Sequence, residues 1–224
     1  MKIAIIIPAA GIGTRMKKNC PKQYLDIAGK PLICHTLERF RSFHQVVIVV
    51  APERVDSFQT DILQHYDFPQ WSVIEGGEKR QDSVRNGLNA LSSDTEIVVV
   101  HDGVRPFVTH ELIEQCISKA AEVGAAIVAV PVNDTIKHVD EIKNILQTIE
   151  RAQLWRAQTP QTARYSLLKK AFDAAYRDNF YGTDEASLIE RIGEKVAIVP
   201  GSERNIKITT PEDLRLAEFW LSQR

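Results

Sequence analysis

The sequence predicts a three-layer α/β fold, a mainly parallel twisted sheet flanked by helices, from which a β-hairpin arm projects. Apolar, β-branched runs recur at residues 3–7, 46–50, 97–100 and 127–130 with little polar alternation, as in strands buried on both faces. Helical patterns separate these runs, and strands alternating with helices build parallel sheets. Between residues 132 and 152 the pattern changes to two pieces that alternate polar and apolar residues, which is the signature of a hairpin.

Each element has a local reason. The opening apolar stretch, Ile3 to Ile7, is too short for the core of a signal peptide and has no convincing cleavage site before Gly11-Ile12-Gly13, so it reads as a first strand. Residues 31–40 open with a proline at a tolerated first-turn position, and Val84, Leu88 and Leu91 repeat at helical spacing. Thr109 is placed to cap a helix through Leu112, Ile113, Cys116 and Ile117. The hairpin pairs 134–139 with 144–150 across a turn at 140–143. Thr210-Pro211-Glu212-Asp213 supplies a cap, a first-turn proline and two acids for a carboxy-terminal helix. No repeat, low-complexity segment or linker interrupts the chain. One domain over residues 1–224 is expected, with 132–152 as an arm within it.

Composition excludes several function classes. With 28 Lys and Arg against 29 Asp and Glu, the formal charge is −1, so there is no general attraction to nucleic acid or an acidic membrane surface. An anionic ligand must be met by local cations. No apolar run approaches a membrane span. Cys20, Cys34 and Cys116 form neither a C-x-x-C pair nor a disulfide framework, which suits reduced thiols and a cytoplasmic location.

The first strand leads into Pro8-Ala9-Ala10-Gly11-Ile12-Gly13-Thr14-Arg15-Met16, and Pro21-Lys22-Gln23-Tyr24 follows. Glycines and small neighbours let backbone amides approach phosphate oxygens at the carboxyl end of a strand, where Arg15 and Lys22 add full charges. A dinucleotide fingerprint would require glycine or alanine where Met16 stands, and no Gly-Lys-Ser/Thr makes this a Walker loop. Gly76-Gly77-Glu78-Lys79-Arg80-Gln81-Asp82-Ser83 precedes a helix; its amides, Arg80 and Ser83 suit a base edge or ribose, and the same residues also suit an ordinary capped turn. His101-Asp102-Gly103-Val104-Arg105-Pro106 follows a buried strand, at the sheet edge where α/β folds bind ligands. Asp102 suits a metal or a ribose and Arg105 a phosphate, unless the two simply pair. His101 has no nucleophile or metal cluster at informative spacing and reads as structural. Thr135, Lys137 and Arg151 on the hairpin, Gln158-Thr159-Pro160-Gln161, Thr183-Asp184-Glu185-Ala186-Ser187 and Asn205-Ile206-Lys207 read locally as loops and caps.

Taken together and in order, these segments resemble the 2-C-methyl-D-erythritol 4-phosphate cytidylyltransferase family over nearly the whole chain. The resemblance implies a Rossmann-like nucleotidyltransferase fold. It also implies that CTP and methylerythritol phosphate give 4-diphosphocytidyl-2-C-methyl-D-erythritol and pyrophosphate with Mg²⁺, in the non-mevalonate route to isoprenoid precursors. Arg15 and Lys22 would stabilise the transition state, and Arg151 and Lys207 would position the sugar phosphate. Ala9, Ala10, Gly11 and Gly13 would bind the triphosphate. Gly77, Glu78 and Ser83 would form the cytosine pocket, with Arg80 and Asp102 completing the nucleotide site; the family often has Asp where this chain has Glu78. Asp102 would be the protein's one metal contact, with most of the metal's ligands on the triphosphate. The hairpin would be a dimer arm that carries Thr135 and Arg151 into a partner's site alongside Asp102, Arg105 and Thr159, with Thr183 also among the acceptor-binding residues, so a homodimer is expected.

Two rivals remain. A ribitol 5-phosphate cytidylyltransferase would share the amino-terminal loop and the Pro-Lys-Gln and Thr-Pro-Gln motifs, but Asp82-Ser83-Val84 and Thr183 to Ser187 favour methylerythritol phosphate. A noncatalytic nucleotide sensor would need neither Arg15 nor Lys22.

Overall fold

The computed structural model describes residues 1–11 and 21–223. In chain order the elements are β1 (Ile3–Pro8), β2 (Asp26–Ile27), β3 (Lys30–Pro31), α1 (Leu32–Leu37), β4 (Gln45–Val50), α2 (Val55–Phe58), β5 (Ser72–Glu75), α3 (Arg80–Asn89), β6 (Ile97–Val100), α4 (His110–Val123), β7 (Ala125–Pro131), β8 (Ile136–Val139), β9 (Ile145–Ile149), β10 (Trp155–Arg164), α5 (Tyr165–Arg177), α6 (Glu185–Arg191), β11 (Ala197–Pro200) and α7 (Pro211–Ser222). The helix expected over 31–40 ends early, as α1 tightens into a 3₁₀ turn at Glu38–Phe40.

Seven strands form one sheet in the order β11-β7-β10-β6-β1-β4-β5. All its pairs are parallel except those of β10, which runs antiparallel to both β6 and β7. Successive side chains of a strand point to opposite faces, and β1 shows the result. Ile5 and Ile7 join Ile48, Val50 and Val99 in the core under α1 and α4, whereas Ala4 and Ile6 join Val47, Val49 and Val98 under α3 and α5. A third cluster, Ile27, Leu32, Val104, Phe107, Ile208, Leu214 and Ala217, seats α7 against the β2-β3 ribbon.

β10 corrects the local reading of Gln158 to Gln161 as loop and cap. These residues lie inside a ten-residue strand and are buried. Polar side chains inside a central strand do not show the apolar run that marks a buried strand; here they are retained because they bond other polar segments, as described below.

β8 and β9 pair only with each other. None of their residues is buried, and Ile142 and Ile145 are 80% and 63% exposed. The arm is rooted by the Val132 amide, which donates to the Leu154 carbonyl at 2.9 Å, and by Arg151, whose guanidinium donates to the Asn133 carbonyl. No helix among the described residues is long and apolar enough to cross a membrane.

Candidate active site

The loops after β1, β5 and β6 meet at the carboxyl edge of the sheet, because backbone bonds continue each strand's path past its end. Ala9 N–H donates to the Val49 carbonyl at 2.7 Å, Gly76 N–H to the Val50 carbonyl at 2.7 Å and His101 N–H to the Ile6 carbonyl at 3.0 Å. They enclose a cavity of about 290 Å³, whose lining includes Ala9, Ala10, Gly11, Lys22, Gly77, Glu78, Arg80, Ser83, Asp102 and Lys207. Among the described residues four cations, Lys22, Lys79, Arg80 and Lys207, face two carboxylates, Glu78 and Asp102, so the lining suits an anion despite the chain's near-neutral total. Gly13 and Arg15 lie outside the described residues.

Gln23 organises the first wall. Its side chain is 3% exposed and donates from Nε2 to both the Ala9 carbonyl at 2.6 Å and the Gly11 carbonyl at 2.9 Å. Turning those carbonyls inward frees the other side of the chain to meet a ligand. Lys22 sits one residue earlier on a 3₁₀ turn (Lys22–Tyr24), and its Nζ donates to the Ile208 carbonyl at 3.0 Å, next to Lys207. Sequence reasoning gave Gln23 no role, although its place in the Pro-Lys-Gln motif was the available signal.

The second wall is the glycine-rich turn. Ser83 Oγ accepts from the Gly77 amide at 3.2 Å and donates to the Lys79 carbonyl at 3.2 Å, so its hydroxyl holds the turn closed while lining the cavity. A Cβ on Gly77 would lie 2.3 Å from Asp82 Cβ, which is why that position admits only glycine without a backbone shift.

The floor is a charge network centred on Asp102. Its Oδ1 lies 3.2 Å from Arg80 Nε, and its Oδ2 lies 2.9 Å from Lys207 Nζ and 3.5 Å from Arg105 Nε. Burial alone would raise the Asp102 carboxyl, but the charges of Arg80, Lys207 and Arg105 outweigh it and hold the group well below the usual carboxylate range. Arg80 in turn forms a bidentate pair with the buried Glu185, at 2.7 and 3.0 Å. Burial would lower this guanidinium, and Glu185 and Asp102 more than reverse that.

Thr159 and His101 support the floor from below. Thr159 Oγ1 accepts from the Asp102 amide at 3.1 Å and lies 3.0 Å from His101 Nδ1, while His101 Nε2 lies 3.1 Å from the Arg105 carbonyl. Burial lowers the His101 pKa to about 4. The neutral ring donates from Nε2 to the carbonyl and accepts at Nδ1 from the Thr159 hydroxyl. The reading of His101 as a structural residue agrees with this geometry.

Three motifs that read as unrelated loops are joined through side-chain amides. Gln161 Nε2 donates to Asp184 at 2.8 Å and its Oε1 accepts from the Ala186 amide at 3.0 Å. Asn205 Nδ2 donates to the Thr159 carbonyl at 2.8 Å, and the Asn205 carbonyl accepts from Arg105 Nη1 at 2.7 Å. These bonds fix the amino end of α6, which delivers Glu185, and the segment that delivers Lys207. Sequence reasoning gave Glu185 no role of its own, although its place in the Thr183 to Ser187 motif was the available signal.

Several expected ligand contacts sit elsewhere in the single chain. Thr159 and Arg105 are buried beneath the cavity and do not line it. Thr183 is exposed and borders a separate small cleft with Gln81 and Asp184. Thr135 and Arg151 are exposed on the arm and do not line the cavity of their own chain. Among the described residues no group of three His, Cys, Asp or Glu side chains is placed to hold a metal ion.

The sequence model of the 2-C-methyl-D-erythritol 4-phosphate cytidylyltransferase family matches residues 3–223. The chain is 45% identical to a protein of Syntrophus aciditrophicus with that name, over 99% of this chain and 97% of the other. It is 44% identical to one of Clostridioides difficile with that name, over 96% and 92%. The solved structure of 4-diphosphocytidyl-2C-methyl-D-erythritol synthase from Anaerococcus prevotii superposes with a TM-score of 0.86 at 32% identity, covering all of this chain and 96% of the other.

Proposed function

The chain belongs to the 2-C-methyl-D-erythritol 4-phosphate cytidylyltransferase family, and from that premise we propose that its cavity transfers the cytidylyl group of CTP to methylerythritol phosphate, releasing pyrophosphate. The observation that carries this reading is the convergence of Lys22 and Lys207 with Asp102 at the carboxyl edge of the sheet.

The attacking group is already an anionic phosphate oxygen, so the reaction needs little from a general base and much from groups that stabilise crowded negative charge. Lys22 is the compact charge set to follow the α-phosphate, and Arg15 is assigned the same task. The backbone at Ala10 and Gly11 is assigned to the triphosphate together with Gly13, while Ala9, whose amide is held by the Val49 carbonyl, lines the cavity beside it, and the turn at Gly77 and Glu78, braced by Ser83, receives the base. Lys207 positions the acceptor's phosphate. Arg105 and Thr159 act from beneath the floor by fixing Asp102.

Mg²⁺ supplies charge neutralisation at the phosphates when bound. Both oxygens of Asp102 already face cations, so this donor set fits a metal carried mainly by triphosphate oxygens, with Asp102 as one ligand, and not a preformed protein cage.

The arm argues for a second copy. An isolated two-stranded hairpin is marginal in water, and this one exposes Val139, Ile142, Ile145 and Leu146 together. We assign residues 132–152 to dimerisation within a single cytidylyltransferase domain, with Thr135 and Arg151 completing the partner's site and Thr183 bordering the acceptor. Reduced Cys34 and Cys116 accord with a cytoplasmic enzyme.

The test is pyrophosphate release from CTP and Mg²⁺ with methylerythritol 4-phosphate or ribitol 5-phosphate, with products identified by mass. The expected product is 4-diphosphocytidyl-2-C-methyl-D-erythritol. CDP-ribitol as the main product would relocate the error to acceptor choice, and CTP binding without turnover would point to a sensor.

A further inference from the structure

Three consecutive residues at the start of α3 are each tied to a different part of one distant segment, residues 176–185. Arg80 forms its bidentate pair with Glu185 at 2.7 and 3.0 Å. Gln81 donates to the Phe180 carbonyl at 3.0 Å and accepts from the Gly182 amide at 2.9 Å. Asp82 accepts from the Tyr176 hydroxyl and, at 3.3 Å, from the Tyr181 hydroxyl. Consecutive helical residues point about 100° apart, so one partner segment can hold all three only by wrapping around the helix end.

That helix end is the base of the glycine-rich turn. The other Asp82 oxygen accepts from the Lys79 amide at 2.9 Å, and Asp82 Cβ is the atom against which Gly77 is pressed. Lys79 Nζ lies 3.6 Å from the centre of the Tyr181 ring, and the Arg85 guanidinium 3.7 Å from that of Tyr176. Gly182 lets the segment turn onto α6, since a Cβ there would meet Ser187 Oγ at 2.4 Å. Tyr176 itself does not line the cavity.

We propose that residues 176–185 form a strap that sets the position of the turn at Gly77 to Lys79, with Tyr176 and Glu185 as positioning residues for the nucleotide half of the site. This rests on the reading that the cavity takes CTP at that turn. Tyr176 reaches the site through Asp82 at the base of that turn, so its loss acts on nucleotide binding, whereas Glu185 also reaches Lys207 through Arg80 and Asp102.

The experiment is calorimetric titration of CTP with Mg²⁺ into the wild-type protein, Tyr176→Phe and Glu185→Gln, together with steady-state kinetics for both substrates. Tyr176→Phe keeps the ring and removes one hydrogen bond to a carboxylate. CTP affinity and KM for CTP are expected to weaken by about tenfold, with KM for the acceptor and kcat at saturation within about twofold (a change under 0.5 kcal/mol). Glu185→Gln keeps the shape and removes the charge, and its loss of CTP affinity is expected to come with a higher KM for the acceptor, because Arg80 also meets Asp102, which holds Lys207. If both variants bind CTP like the wild type and merely melt earlier, or if the two KM values rise together in Tyr176→Phe, the strap is overturned. Absence of CTP binding by the wild type would instead overturn the reading of the cavity itself.

Discussion

At the scale of single residues, the described lining of the site sets more cations than carboxylates around the cavity. Lys22 lies at the cavity wall beside Ile208 and Lys207, and replacing it with alanine removes the charge proposed to meet the α-phosphate. By comparison with the loss of one oxyanion donor, kcat is expected to fall on the order of 100-fold or more, about 3 kcal/mol in the barrier. Near-normal turnover by Lys22→Ala would remove it from the mechanism. His101 gives a pH signature. Its folded pKa of about 4 lies below the ordinary 6.5, so between those values the unfolded chain binds the extra proton and stability falls as pH drops. The full effect is roughly 3 kcal/mol on reaching pH 4. Asp102, held below the usual carboxylate range, adds its own loss only at pH values below about 4, the ordinary carboxylate range. Urea unfolding at pH 7 and pH 5 checks the histidine contribution, since a midpoint that does not move would contradict a buried neutral ring.

At the scale of elements, α3 and the arm make separate claims. Gly87 brings α3 close to the sheet, because a Cβ there would lie 2.6 Å from Ile6 Cγ2 and 3.3 Å from Val49 Cγ2. Gly87→Val is expected to destabilise the protein by about 2 kcal/mol through overpacking, read as a lower denaturation midpoint. The arm, which buries nothing of its own, is assigned to the partner's site. If Arg151 acts across the dimer and Lys207 within its own chain, Arg151→Ala and Lys207→Ala homodimers are each nearly inactive. Co-refolding them in equal amounts should then restore about a quarter of wild-type activity, because half the dimers are mixed and each mixed dimer has one intact site. No recovery would place Arg151 and Lys207 in the same chain's site.

At the scale of the whole molecule, the proposed metal is expected to act in turnover and not in folding. Among the described residues no cluster of three ligating side chains exists, and the core is apolar on both faces of the sheet. Chelation is therefore expected to abolish turnover while leaving the melting temperature of the nucleotide-free protein unchanged, which differential scanning calorimetry can read. A large chelator-induced drop would reveal a structural metal.

The sequence by itself determined the parallel strands, the capped helices at Thr109 and Thr210, the glycine-rich turn before α3 and the projecting hairpin. Each of these depends on periodicity, caps or glycine chemistry within a few residues of chain. It also supplied the family, because several motifs occurred in order. Only the tertiary structure decided that β10 is a central antiparallel strand, that Arg80 is bound to Glu185, that Ser83 braces a turn, and that Thr159 and Arg105 lie under Asp102. Those facts depend on pairs separated by up to 105 residues. A side chain's local neighbours do not say which distant charge or amide will satisfy it once water is excluded.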